Sequence, residues 1–203
     1  MRTFLKRTNG ALSRRAGFVL ALAAGAALAG CSGSEPSADT TTAAADQALV
    51  VPADQTVTQL LDNADGLQTV AEALKETGLS GLFKEKGSYT LFAPEDATFE
   101  ALGDAGKTLT GGDDNAALAA LLKEHMMPGY VTVQDLSNAI DESKDGSVTM
   151  PSLSGDELTF TKSGDTITIK APDGSSATID GEAMAGGESI AIPVTGLLRQ
   201  VSS

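Results

Sequence analysis

Residues 89–99 read Tyr89-Thr90-Leu91-Phe92-Ala93-Pro94-Glu95-Asp96-Ala97-Thr98-Phe99. Tyr89 to Ala93 is a short, mostly apolar run, which reads as a buried strand. Pro94 breaks it, because proline has no N–H to give a ladder. Glu95 and Asp96 then open a helix through Phe99, where early acids suit the positive end of the helix dipole. A buried strand running into a helix needs apolar cover on its faces, and the flanking sequence supplies it.

Upstream the pattern is helical. Val57, Leu60 and Leu61 recur at turn spacing, and Leu67, Val70, Ala71 and Leu74 repeat it. Gly78 ends that second helix, and Leu79, Leu82 and Phe83 form a short third one before Gly87. Downstream, Ala116 to Met126 reads as a helix running into Pro128-Gly129, and Val133 to Ile140 as another short one. The period then changes. Leu158 to Thr161 and Thr166 to Lys170 alternate cleanly around Ser163-Gly164-Asp165, which reads as a hairpin. Ser176 to Ile179 and Ile190 to Val194 are further strands, and Leu197-Leu198 closes the pattern. Helices first and strands later is an α+β arrangement, and about 145 residues suffice for one core.

Residues 89–99 resemble the first signature box of the fasciclin domain, whose usual form is close to TVFAPTDAAF; the matching positions are Thr90, Phe92, Ala93, Pro94, Asp96 and Phe99. Leu67 to Leu74 with Thr77-Gly78-Leu79 resembles the family's lead helix and its AGL turn. Leu121 to Gly129, with His125, Pro128 and Gly129, resembles its LLxYHVVPG segment, and Leu153, Gly155 and Leu158 sit like its LxGxxL strand pair. The second box, usually near GVIHVIDxVLLP, is eroded: Ile190, Ile192 and Leu197 keep its apolar strand, while Ala191 and Val194 replace its His and Asp. Glu124 stands where the family's tyrosine precedes the histidine. The resemblance implies one domain over residues 54–200, with N-terminal helices packed on a β-wedge or sandwich of about seven strands. It also implies that the two boxes lie side by side, here with a more apolar join. Integrin contacts of animal members use an Asp-Ile pair just before the second box. Glu182-Ala183 stand there, which leaves Glu182 and Met184 as candidate partner contacts.

The formal net charge of -13 is unevenly spread. The charged residues from Met1 to Cys31 are all basic, namely Arg2, Lys6, Arg7, Arg14 and Arg15, so nine of the 14 cations face all 27 acids afterwards, a net -18. Ala16 to Ala29 is uncharged and too short to span a bilayer, which takes about 20 residues, but fits the apolar region of a secretory signal. Leu28-Ala29-Gly30-Cys31 resembles the lipobox of bacterial lipoproteins. That resemblance implies a signal peptide over residues 1–30, cleavage before Cys31, and acylation of its thiol and new amino terminus; two or more acyl chains anchor stably. An ordinary signal peptide with an incidental cysteine is the alternative. Ser32 is compatible with outer-membrane sorting, and Arg14-Arg15 leaves twin-arginine export open beside the general route. Residues 31–53 are rich in Ser, Thr, Ala, Asp and Pro, the composition of a flexible tether.

The same composition narrows the chemistry. One His and one Cys build no Cys/His zinc site, iron–sulfur cluster or intramolecular disulfide. The acidic balance opposes nucleic acid, since affinity for phosphate backbones comes from clustered Lys and Arg. No GxSxG elbow, GxGxxG or P-loop is present. Asp141 to Val148 imitates the opening of an EF-hand loop, but position twelve is Ser152 where a bidentate Glu is needed, so a solvated turn and no metal is the expectation. Asp113-Asp114 reads as a helix cap. His125 is the sole histidine, so triad-type catalysis would have to run through it. The family resemblance instead makes it a core residue hydrogen-bonded to backbone.

Three functions follow as expectations. The first is a non-catalytic, lipid-anchored envelope domain that mediates adhesion to a surface or matrix protein or glycan, exported to the outer membrane and needing no cofactor. The alternative is a carrier of a small apolar ligand such as a pigment or lipid. The third is an envelope hydrolase using His125.

Overall fold

The computed structural model describes residues 55–112 and 114–201. The stretches read from the sequence as a leader and a tether, and Cys31 between them, lie outside the described residues. Helix α1 (Val57–Asn63) begins at a capping box: Thr56 Oγ1 accepts from Gln59 N–H, and Gln59 Oε1 accepts from Thr56 N–H at 2.9 Å. Helix α2 (Gln68–Glu76) buries Val70, Ala71 and Leu74, the face its spacing predicts. Gly78, at φ 74, turns the chain into a 3-10 helix over Leu79–Lys84.

Strand β1 (Tyr89–Pro94) follows, then α3 (Asp96–Ala101), α4 (Asp104–Thr110) and α5 (Asn115–Glu124). The expected helix to Met126 stops two residues early. Met126–Pro128 forms strand β2, antiparallel to β1, with Tyr89 opposite Pro128. Met126 and Met127 go to opposite apolar clusters, the alternation of a strand, and Pro128 is tolerated at an edge. Helix α6 (Val133–Glu142) comes next, also from a capping box, at Thr132.

The remaining strands are β3 (Ser147–Pro151), β4 (Glu157–Ser163), β5 (Thr166–Lys170), β6 (Ser176–Ile179), β7 (Met184–Gly186) and β8 (Ser189–Thr195). They join β1 and β2 in one sheet of order β2-β1-β8-β6-β5-β4-β3, with β7 hung on β8. Seven strands therefore lie on one path and an eighth beside it. The sheet nearly closes on itself, because Leu153 N–H, from the β3–β4 turn, donates to Met126 O of β2 at 2.7 Å.

Strand β1 lies in parallel beside β8, Thr90 against Ile190 through Pro94 against Val194; the other pairs are antiparallel. The two boxes are thus adjacent, and Ala191 and Val194 sit inside the join. This pair divides two apolar clusters. Leu91, Ala93 and Ala191 face the cluster of α1, α2 and α5, while Phe92, Ile190, Ile192 and Val194 face the one enclosed by α6, β4, β5 and β6. With both faces covered, a strand reads as a continuous apolar run rather than an alternating one. Phe92 meets Phe160 in the second cluster with ring centroids 5.5 Å apart.

Candidate functional site

The signature residues occupy one neighbourhood, and most of them tie the chain to itself. Thr90 is buried in β1; its hydroxyl donates to Gly129 O at 2.8 Å and accepts from Val131 N–H at 2.9 Å. That bridge fixes the Pro128-Gly129 turn, where Gly129 takes φ 98, a conformation that favours glycine. Asp96 opens α3, yet its carboxylate accepts from Thr69 N–H at 2.8 Å and its own N–H donates to Gly66 O at 2.8 Å. It therefore serves an unsatisfied N–H in the first turn of α2, across 27 residues of sequence. Phe99 and Leu197 pack in the helix-side cluster. Ala93 and Pro94 continue the parallel ladder.

His125 caps the C-terminus of α5 and is wholly buried. Its Nδ1 lies 2.8 Å from Leu121 O, and its Nε2 accepts from Leu198 N–H at 3.0 Å. Those partners fix the neutral tautomer with the proton on Nδ1. Burial holds its pKa down at about 4, against the pull of the backbone hydrogen bonds. Both ring nitrogens are occupied and neither meets solvent, so the ring is a latch between α5 and the C-terminal segment. That arrangement leaves no lone pair for the base that a triad requires.

Glu124, one residue earlier, is the group that sequence reasoning undervalued. Its side chain is only 4% exposed. Oε2 accepts from Ser154 Oγ at 2.9 Å and lies 3.9 Å from an Arg199 guanidinium nitrogen. Burial pushes its carboxyl above the ordinary range; Asp156 nearby adds to that, while Ser154 and Arg199 oppose it. The signal was present as spacing, for Glu124 follows Leu121 by three residues on the buried face of α5. Beyond it, Asp173 accepts from Gln200 N–H at 2.7 Å and Ser175 N–H at 2.8 Å. The chain after β8 is therefore pinned at Leu198, Arg199 and Gln200 in succession.

Two of the clefts around this core bear on the candidate residues. One, of about 520 Å³, brings Glu182 and Met184 together with Asp65, Glu95 and Pro193. Glu182 is exposed and Met184 half-buried at the start of β7, so of the two candidate contacts Glu182 offers the accessible head group. The other, of about 500 Å³, lies between α4, α5 and residues 199–201. Asp114 caps α5 by accepting from Ala117 N–H at 2.9 Å, as expected, while Asp113 lies outside the described residues. The calcium-like stretch is divided among the end of α6, a turn at Gly146 and the start of β3, and Asp141 is engaged by Lys162 Nζ at 2.5 Å. Among the described residues no group of three or more His, Cys, Asp or Glu is placed to hold a metal.

Comparison with known proteins agrees with this geometry. A solved structure described as a FAS1 domain pair from the insect cell adhesion molecule fasciclin I superposes with a TM-score of 0.62 at 17% identity, covering 72% of this chain and 51% of that one. At that identity the likeness is one of fold, and this chain spans about half the length of the insect chain. No curated protein matches. The family model for the Fasciclin domain matches residues 65–187, more than half of the chain. Those residues hold the first box, the latch histidine and the strands of the sheet as far as β7, and the chain belongs to the fasciclin-domain family.

Proposed function

We propose that this chain is a lipid-anchored, non-catalytic domain of the bacterial cell envelope that mediates adhesion to a surface or matrix protein or glycan. The observation that carries the reading is the fasciclin domain itself, whose only histidine is consumed as a core latch. Cys31 would bear the anchor, residues 32–53 would be the tether, and the outer membrane would be the destination. Among the described residues no helix is long and apolar enough to cross a membrane. Contact with the partner would involve the acidic cleft at Glu182 and Met184, on the sheet edge carried by β7.

Replacing Cys31 by Ala is expected to move the protein from the membrane pellet to the soluble fraction of lysed cells. Persistence in the pellet counts against the anchor. For adhesion, the purified chain is coated on a surface and attachment of envelopes or matrix polymers is measured. Attachment no greater than that of an unrelated acidic domain ends the adhesion reading. Glu182→Lys is expected to lower attachment several-fold without changing the melting temperature, because rim charges act on association rather than folding.

A second reading, a carrier of a small apolar ligand, is favoured by the 500 Å³ cavity between α4, α5 and residues 199–201. That volume falls within the range of about 300–1,000 Å³ typical of small-molecule pockets.

A further inference from the structure

The chain after β8 leaves regular structure. Residues 196–201 form neither helix nor strand, and no backbone–backbone hydrogen bond joins residues 198–201 to another described residue. Three ties hold them instead. Leu198 N–H donates to His125 Nε2 at 3.0 Å, and an Arg199 guanidinium nitrogen lies 3.9 Å from Glu124 Oε2. Gln200 N–H donates to Asp173 Oδ2 at 2.7 Å, and its Nε2 donates to Asp173 O at 2.6 Å. Three successive residues thus each depend on a side chain that can take up a proton. Leu197 and Leu198 are the apolar anchors, one in the helix-side cluster and one in the sheet-side cluster. Gly196, at φ 135, stands where the segment leaves β8.

The segment also divides an apolar space. Arg199, Gln200 and Val201 wall the 500 Å³ cavity against α4 and α5, and the same three residues wall a cleft of about 560 Å³ against Ala97 and Ala101 of α3. Withdrawing them joins the two into one groove along α3, α4 and α5. We infer that residues 197–201 are an acid-released strap: protonation of Glu124, His125 and Asp173 frees it from its three ties and opens the groove while the sheet stays folded. A protonated Nε2 is a donor facing Leu198 N–H, so that bond is lost. A neutral Glu124 loses its attraction for Arg199, and a neutral Asp173 accepts more weakly than a carboxylate. The parallel β1–β8 ladder uses backbone acceptors, which do not titrate.

The groups around each tie set the order of release. Burial, with Asp156 of the β3–β4 turn, pushes Glu124 up against the pull of Ser154 and Arg199, so its tie goes first. His125 is faced by the backbone of Leu121, Leu198 and Gly196, and burial holds its pKa at about 4. Partial burial works to raise Asp173, but Ser175, Gln200 and Arg199 hold it below the ordinary range, so its tie goes last.

The test is amide hydrogen exchange, residue by residue, on the full chain with Cys31→Ala, at neutral pH and at about pH 4, with rates corrected for the intrinsic effect of pH. Protection of the Leu198 and Gln200 amides is expected to fall by about tenfold or more on acidification, while that of Phe92 in β1 and Ile169 in β5 is kept. A neutral apolar dye, Nile red, is expected to brighten over the same range with the far-ultraviolet circular dichroism unchanged. Asp173→Asn is expected to lower Gln200 protection several-fold already at neutral pH and to leave it with a weaker pH dependence. Strap protection that is the same at both pH values, or that falls only in step with Phe92, overturns the strap, the second because the whole domain is then unfolding. Unchanged dye emission overturns the groove. The parent comparison needs no variant, so a poorly folding Asp173→Asn chain does not shelter the proposal.

Discussion

Replacing His125 by Ala should lower the unfolding free energy by about 3–5 kcal/mol, as large-to-small changes at fully buried aromatic positions do. The loss has two parts. The ring leaves a cavity where α5, β2 and the C-terminal segment meet. It also strips the Leu198 N–H of its acceptor, and an unsatisfied buried donor costs roughly 1–3 kcal/mol. The chain has no Trp, so urea unfolding followed by far-ultraviolet circular dichroism is the suitable measurement. A midpoint equal to that of the parent would show that His125 is not a latch.

The same residue predicts a pH dependence of defined sign. In the folded chain its pKa is held at about 4, against the ordinary 6.5 of the unfolded chain, so the folded state binds fewer protons between these values. The stabilisation is complete above the unfolded value and is lost as pH falls through the folded one, in total about 3 kcal/mol. Glu124 acts with the opposite sign. Its raised carboxyl pKa favours the folded state below the unfolded value of 4.5, and that contribution disappears as pH rises. His125→Ala should therefore be less sensitive to acid than the parent between pH 7 and 4, and Glu124→Gln more sensitive. An unchanged slope in the His125 variant would refute the linkage.

Gly196→Ala should cost about 3 kcal/mol, combining backbone strain with overpacking. Gly196 has φ 135, and a Cβ there would stand 2.6 Å from Ser176 O and 3.2 Å from Ala177 Cα. Both obstacles are backbone of β6, so neither can swing aside. The residue lies between Thr195, paired with Thr178, and Leu198, whose N–H meets His125. Shifting it would disturb the end of the β6–β8 ladder and the latch together. The double variant with His125→Ala should accordingly destabilise by less than the two single losses combined, because the second change removes an interaction already broken. Strict additivity in urea melts would mean that the two sites are independent.

The period of the apolar residues made α1, α2, the β4–β5 hairpin, β6 and β8 legible, because each has one face or both turned to a core. Three elements escaped it. Helix α4 contributes only Gly106 and Leu109 to the interior, too few to mark a period. Strand β3 alternates half-buried and exposed positions at one end of the sheet, and β7 is three residues long with a glycine at its end. That glycine was uninterpretable in one dimension: Gly186 lies so close to α1 that a Cβ would meet Val57 N at 2.7 Å. The early stop of α5 was missed for a different reason. Leu121 to Met127 is apolar enough to continue as a helix, and only pairing with β1 makes its end a strand.

What the sequence determined by itself was local and compositional: the α+β class, the signature strand and helix, the charge asymmetry, and the shortage of histidine and cysteine for catalysis. These follow from periodicity and residue chemistry, which neighbours along the chain already express. The tertiary structure decided which side chains share a site. Asp96 caps a helix 27 residues before it, and His125 holds a backbone N–H 73 residues after it. Arg199 borders an apolar cavity whose other walls come from α4 and α5. Such pairings depend on how the parallel β1–β8 join brings the end of the chain back to its middle, and no local pattern encodes that distance.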